Sequence, residues 1–388
     1  MKSTLLHEWH IAHGAIMAPF AGYDMPIRYP AGSIEEHLVT RRSVGLFDID
    51  HMGQFEISGL GADDFVSSIV SSRIVDMVPG EARYSLLLDE EGLVLDDLFV
   101  YSLPASWWIV VNAGNREADF AWFKDHAPEG ISIVDHSEAS YMIAVQGPRA
   151  LELLNAISKP CTFSVIPGAT MKRLPGQEYP VVSGITRFWW GNIEIDGVPV
   201  LFGRTGYTGE DGGELFYPAE HAIKIWEFLL AKGTELNIEI KAIGLGARDS
   251  LRFEAGMPLH GHEISSAINP VEAGFKWACD FSKDFVGKNA LESIIAKGTS
   301  RKLVGIEVSG GVPREGYQVA TPEGDIVGQV VAGMFCPTVK KYVANAFVRP
   351  EYAKAGTELV VMIRGQEKKA IVVKRPLYVP AYRRTEVK

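Results

Sequence analysis

From about Cys279 onward the sequence is cut into short apolar runs separated by turn residues: LVGIEVSGG, GDIVGQVVAGMF, KYVANAFV, ELVVMIRG and KKAIVVK. Runs of this length suit strands and are too short for packed helices, so the stretch predicts a small all-β domain closed as a barrel. Single hydrophobic cores usually stop growing near about 250 to 300 residues. A chain of 388 residues therefore needs a further core upstream, giving two or three packed domains.

Upstream the texture is mixed. Ser33 followed by Glu36 reads as a capping box opening a helix over residues 34–42, ended by residues 43–45. Apolar stretches at 84–88, 93–101 and 107–112 alternate with period two and predict an antiparallel meander, its first turn being Asp89-Glu90-Glu91-Gly92. A second hairpin over 188–195 and 198–204 is joined by Asp196-Gly197. Ile223, Trp226, Leu229 and Leu230 fall at helical spacing over 219–232 with Gly233 as the stop, and another helix is expected over 242–255, closed by Gly256. The fold class is α+β, a mixed body followed by a β-rich C-terminal domain.

Three segments draw attention for chemistry. The middle strand of the meander carries Asp96-Asp97, and alternation puts Leu95, Asp97, Phe99 and Tyr101 on one face and Val94, Asp96, Leu98 and Val100 on the other. A carboxylate on an apolar strand is costly unless paired, so one of the two has a function or holds a nearby turn. Residues 204–214, RTGYTGEDGGE, pack four glycines into eleven positions after a strand. This implies a backbone that approaches something closely, either a heteroaromatic ligand or the chain itself in a tight turn. It lacks the Lys-Ser/Thr ending of a phosphate loop, and its acids would repel phosphate. Arg248 and Arg252 lie four apart on one helix face, placed either to clamp a carboxylate or to pair with Asp249, Glu254 or another domain.

Other features are bland. His51, His260 and His262 lack metal-ligand spacing, no GxSxG elbow occurs, and Trp107-Trp108 and Trp189-Trp190 read as packing. Cys161, Cys279 and Cys336 form no CxxC pair, so neither a disulfide framework nor a zinc site is indicated and a reducing compartment fits. The net charge of -10 disfavours nucleic acid and anionic membranes as partners. No export signal and no membrane-spanning run is seen, so a cytoplasmic location is expected.

Taken together, His13-Gly14, residues 19–22 (PFAG), 47–52 (FDIDHM), Asp96-Asp97-Leu98, residues 145–148 (VQGP), GYTGEDG at 206–212, ARDSLR at 247–252 and PTVKK at 337–341 resemble the aminomethyltransferase family, the glycine cleavage T-proteins. The motifs span almost the whole chain. The resemblance implies a three-domain ring-like fold with a C-terminal β-barrel: residues 1–51 and 137–240 as a first α+β domain, 52–136 and 241–278 as a second, and 279–388 as the barrel. It implies tetrahydrofolate as cofactor and a lipoylated carrier protein of the glycine cleavage system as partner, the product being 5,10-methylenetetrahydrofolate with release of ammonia.

Carried over by motif position, Asp97 is the catalytic carboxylate, and Tyr84, Tyr101, Asn112, Tyr207, Glu214, Arg248 and Trp277 contact folate. A last contact falls at Tyr382 or Arg383. Glu214 would accept from the amino edge of the pterin, Arg248 would face the carboxylates of the tail, and Asp97 would stabilise the positive charge that develops as ammonia leaves. Asp50 and the pair Phe335-Cys336 depart from the usual family residues, which leaves a folate-dependent demethylase of a small methylated compound as the alternative.

Overall fold

The computed structural model describes residues 1–160 and 182–383, so Cys161 lies outside the described residues. The chain divides into two compact units: Met1–Ser85 with Asp97–Asp249, and Leu86–Asp96 with Ser250–Lys388.

Among the described residues, the larger sheet of the first unit has seven strands in the order Ser158–Pro160, Trp190–Ile195, Val198–Gly203, Gly212–Pro218, Ser140–Gln146, Val44–Asp48 and Ile240–Ala242. Neighbours are antiparallel except the last pair, which is parallel. Leu46, Ile143, Val145, Leu215 and Tyr217 from this sheet share a core with Leu153 and Leu154 of helix Ala150–Ile157 and with Ile225, Trp226 and Leu229 of helix Ala222–Glu235. The hairpin forms as expected: Asp196 (φ 48°) and Gly197 (φ 75°) are both left-handed, which the twist of the two flanking strands demands.

The meander also forms. Strands Ala82–Leu88, Val94–Ser102 and Trp107–Val111 lie side by side, continued by Gly53–Ser58 and Ser132–Asp135. Along Val94–Ser102, residues 94, 96, 98 and 100 are buried while 95, 97 and 99 are half-buried, the alternation read from sequence.

Two helix-end expectations need correction. The helix Ser33–Arg42 exists but has no side-chain cap. The Glu36 carboxylate instead accepts from the backbone N–H groups of Tyr29 and Gly244, both at 2.7 Å, because it is buried where those two donors need a partner. Gly233 does not stop its helix, which runs to Glu235. A Cβ there would fall 2.3 Å from Ile240 Cγ2, so the glycine permits close packing, and the left-handed residue just beyond the helix is Asn237 (φ 56°). Ile223 is exposed and Ile225 takes the buried place, a shift of the apolar stripe.

The second unit contains the expected barrel, closed by six strands in the order Lys302–Val308, Lys341–Val348, Ile326–Cys336, Gln318–Ala320, Glu358–Ile363 and Gln366–Val373. Val304, Ile306, Val308, Ala344, Ala346, Val348, Leu359, Val361 and Ile363 fill it at period two. Gln318–Ala320, only three residues long, is too short to leave a periodic signature in the sequence. No helix among the described residues is long and apolar enough to cross a membrane.

Candidate active site

The meander strand presents Asp97 from a half-buried position in the first unit. Tyr84, one strand away, donates its hydroxyl to Oδ2 (3.1 Å), and Asn112, just past the end of the third strand, donates Nδ2 to Oδ1 (2.8 Å) and to the Asp97 carbonyl (3.1 Å). Both partners are neutral, so they fix the orientation of the carboxylate without neutralising its charge. Phe99 follows two residues on, and its ring meets Tyr84 at 5.8 Å and Tyr101 at 6.3 Å. The face predicted by alternation is thus a continuous aromatic surface beginning at a carboxylate.

At the far end of that face the buried Tyr101 hydroxyl lies 2.8 Å from Thr205 Oγ1 and 3.3 Å from Glu214 Oε2, and the Thr205 hydroxyl donates to the same Glu214 oxygen. Burial pushes the Glu214 carboxyl above the ordinary glutamate range, against the Thr205 hydrogen bond, the Arg248 charge and the Tyr101 hydrogen bond. Burial and the nearby Glu214 likewise raise the Tyr101 phenol. Thr205 belongs to this cluster although sequence reasoning passed over it; its position inside the glycine-rich motif was the available signal.

The glycine-rich segment is shorter as a loop than expected. Gly212, Gly213 and Glu214 already belong to strand Gly212–Pro218, and the loop proper occupies residues 204–211. What its backbone approaches most closely is the chain itself: a Cβ on Gly206 (φ 157°) would fall within 2.2 Å of the Gln146 side chain. Gln146, from the VQGP motif, donates Nε2 to the carbonyls of Thr205 and Gly213 (both 3.2 Å) and accepts from the Thr208 hydroxyl (2.8 Å). The acids of the loop are engaged, Glu210 with Arg41 (2.9 Å) and Asp211 with Arg204. The motif is therefore a self-supported scaffold that holds Thr205 and Glu214 in place.

Arg248 lies over the Tyr207 ring at 4.6 Å, a cation-π contact that brings the two residues together. Arg252 does not join it in a clamp, since its buried guanidinium pairs with Glu263 at 2.8 Å. His51 is buried in the first unit; burial and the Arg248 charge push its imidazole down to about 3, against Asp48, so it stays neutral. Asp50 is half-buried and accepts from the Met142 N–H (3.0 Å), with desolvation and the charge of Asp48 raising its carboxyl. Cys336 packs with Phe253, Ala332 and Val343. Trp107 and Trp108 are packing residues as expected, with Trp107 Nε1 donating to Asp63 (2.8 Å) and Trp108 stacked on His136.

Asp97, Tyr84, Asn112, Tyr101, Glu214, Tyr207 and Arg248 all lie in the first unit. Trp277 and Tyr382 belong to the second, Trp277 standing 68% exposed on the turn Lys276–Ala278 and Tyr382 on Ala381–Arg383. The first-unit arrangement offers a half-buried acceptor at Glu214, aromatic rings between, a cation at Arg248 and an oriented carboxylate at Asp97. A planar heteroaromatic with a donor-rich edge and an anionic tail matches all four.

Comparison with known proteins agrees over the whole chain. Residues 6–283 match the GCVT N-terminal domain family, and residues 301–378 match the glycine cleavage T-protein C-terminal barrel domain family. The aminomethyltransferase of Symbiobacterium thermophilum is 40% identical over 393 residues, covering 99% of this chain and 99% of that protein. The aminomethyltransferase of Bacteroides fragilis is 40% identical over 382 residues, covering 97% and 99%. A crystal structure of the glycine cleavage system aminomethyltransferase T from Bartonella henselae superposes with a TM-score of 0.85 at 32% identity, covering 98% of each chain.

Proposed function

This chain belongs to the glycine cleavage T-protein family and is an aminomethyltransferase, and on that premise we propose that it passes the methylene group of an aminomethyl-lipoyl carrier protein to tetrahydrofolate. The alternative, a folate-dependent demethylase, is not favoured, since the relatives over the full length are aminomethyltransferases.

Reduced folate, when bound, supplies the nitrogen nucleophile that receives the one-carbon unit. Glu214 would hold the pterin by its N–H edge, Arg248 would face the tail carboxylates, and Tyr207 would keep Arg248 in place. Asp97, oriented by Tyr84 and Asn112, would stabilise positive charge at the reacting nitrogen and carbon as ammonia departs. Trp277 and Tyr382 are proposed as further folate contacts. The observation that carries the reading is the Asp97 carboxylate, aligned by neutral donors on the aromatic face that ends at Glu214.

The three-domain division given by the family likeness is also our proposal, supported within residues 1–242 by one sheet drawn from 44–48 and 140–242 and another drawn from 53–135. The two described cysteines, Cys279 and Cys336, are not joined in a disulfide, which fits the reducing cytoplasmic setting we propose. The activity test is direct. Purified protein given tetrahydrofolate and a carrier bearing the aminomethyl-lipoyl arm should release ammonia and form 5,10-methylenetetrahydrofolate; no ammonia, with methylation of folate from a free donor instead, would overturn the reading.

Glu214→Gln separates binding from stability. Because burial raises the folded pKa of Glu214, its charge opposes folding, and wild-type stability falls as pH rises from the ordinary glutamate value through the folded one. The Gln variant should lack that loss and melt no lower than wild type above this window. It should also weaken tetrahydrofolate by roughly tenfold to a hundredfold, since a charge-assisted pair with the pterin edge is gone. A variant that melts lower above this window yet binds folate normally contradicts both halves.

A further inference from the structure

Tyr207 and Arg248 meet from two separate elements, the loop 204–211 and the first turn of the helix Leu245–Glu254. A third element ties both. The helix Ser33–Arg42 sends the buried side chain of Arg41 to the loop, where Nη1 donates to the Thr208 carbonyl (2.7 Å) and to Glu210 Oε1 (2.9 Å). Thr208 directly follows Tyr207, and its hydroxyl accepts from the Glu210 N–H (3.1 Å) and donates to Gln146 (2.8 Å). The backbone that carries the Tyr207 ring is therefore pinned beside it.

The same helix reaches the other partner through Glu36. Its Oε2 accepts from the Gly244 N–H (2.7 Å), and the Gly244 carbonyl accepts from the Arg248 N–H (3.1 Å). Gly246, in that turn, lets it approach the start of the helix closely, since a Cβ there would fall 2.6 Å from Ser33 Oγ. Arg41, Glu36, Tyr207, Gly244 and Arg248 all belong to the first unit. A cation-π contact places a guanidinium only as well as the two backbones beneath it are placed, and binding groups gain from supports of this kind.

We propose that Arg41 and Glu36 are positioning residues for the folate tail, the helix Ser33–Arg42 bracing the loop of Tyr207 and the turn of Arg248 at one fixed spacing. The inference deepens the reading above and rests on Arg248 facing the tail carboxylates. Arg41 and Glu36 act through Tyr207 and Arg248 rather than by touching the ligand.

The test titrates tetrahydrofolate into the full-length protein carrying Arg41→Met with Glu210→Gln, Glu36→Ala, or Arg41→Lys, each with and without Arg248→Ala, and records unfolding temperatures beside. Glu210→Gln is included so that no buried carboxylate loses its cation. The first two brace variants should each weaken tetrahydrofolate about tenfold, while kcat at saturating folate stays within about threefold because Tyr84 and Asn112 still hold Asp97. Arg41→Lys, whose ammonium can donate to both loop acceptors, should stay within about threefold of wild type. In the Arg248→Ala background, itself weakened about tenfold or more, the same changes should add no more than about twofold, as expected of residues that act through one group. Normal affinity in a folded brace variant, a loss that persists in full without Arg248, or a loss seen only where the variant melts below the assay temperature overturns the proposal. If Arg248→Ala binds tetrahydrofolate like wild type, the reading of the tail site fails; a weakened Arg248→Ala beside normal brace variants sinks only the brace.

Discussion

Asp97→Asn should lower turnover by about a hundredfold or more while tetrahydrofolate binding stays within about tenfold. The substitution keeps size and shape and removes the charge. In wild type, Oδ1 accepts from Asn112 and Oδ2 from Tyr84. An asparagine can keep its oxygen toward Asn112 and turn its NH₂ toward Tyr84, whose hydroxyl accepts as readily as it donates. The local geometry survives, so a fall in rate measures the loss of electrostatic stabilisation rather than of fold. Steady-state kinetics with the aminomethylated carrier, beside a direct folate titration, separates the two. Wild-type turnover in the variant would remove Asp97 from the chemistry, and a collapse of folate affinity would make it a binding residue instead.

Arg252→Met should destabilise the fold strongly, and its cost should come from the partner left behind. Arg252 and Glu263 are buried to within 1% of full burial and lie 2.8 Å apart. Burial raises the Glu263 carboxyl; the Arg252 charge, the Asn345 amide at 2.6 Å and the Leu259 N–H at 3.0 Å together outweigh that and hold it below its usual value. Removing one partner of a buried pair typically costs about 3 to 5 kcal/mol, and the half-buried Arg375, which also feels Glu263, favours the lower figure. The double variant Arg252→Met with Glu263→Gln should recover part of the loss, because the buried carboxylate no longer lacks its Arg252 partner and a Gln oxygen still accepts from Asn345, while Arg375 loses the Glu263 charge. Thermal unfolding of the three proteins checks this. A single variant that melts like wild type, or a double variant worse than the single, contradicts the account.

What could be read in the sequence was what short-range physics determines. The period-two alternation around Asp97 and the Asp196-Gly197 turn hold because strand geometry and left-handed turn residues act within a few positions. The roles of Glu36, Gly233 and Arg252 escape a local reading because their partners lie far along the chain or outside the helix: Glu36 serves Gly244, Gly233 makes room for Ile240, and Arg252 answers Glu263. The glycine-rich motif is legible as a close approach, but nothing local reveals that Gln146, 59 residues before Thr205, is what it approaches. Thr205 and Phe99 join the site through tertiary neighbours as well, although Phe99 lies on the strand face that alternation picks out.

The central claim is that a reduced pterin lies along the aromatic face between Glu214 and Asp97. A crystal structure of the protein soaked with tetrahydrofolate tests it most directly. The account predicts the amino edge of the pterin on the Glu214 carboxylate and the reacting nitrogens beside Asp97. A pterin lodged away from both carboxylates would contradict it.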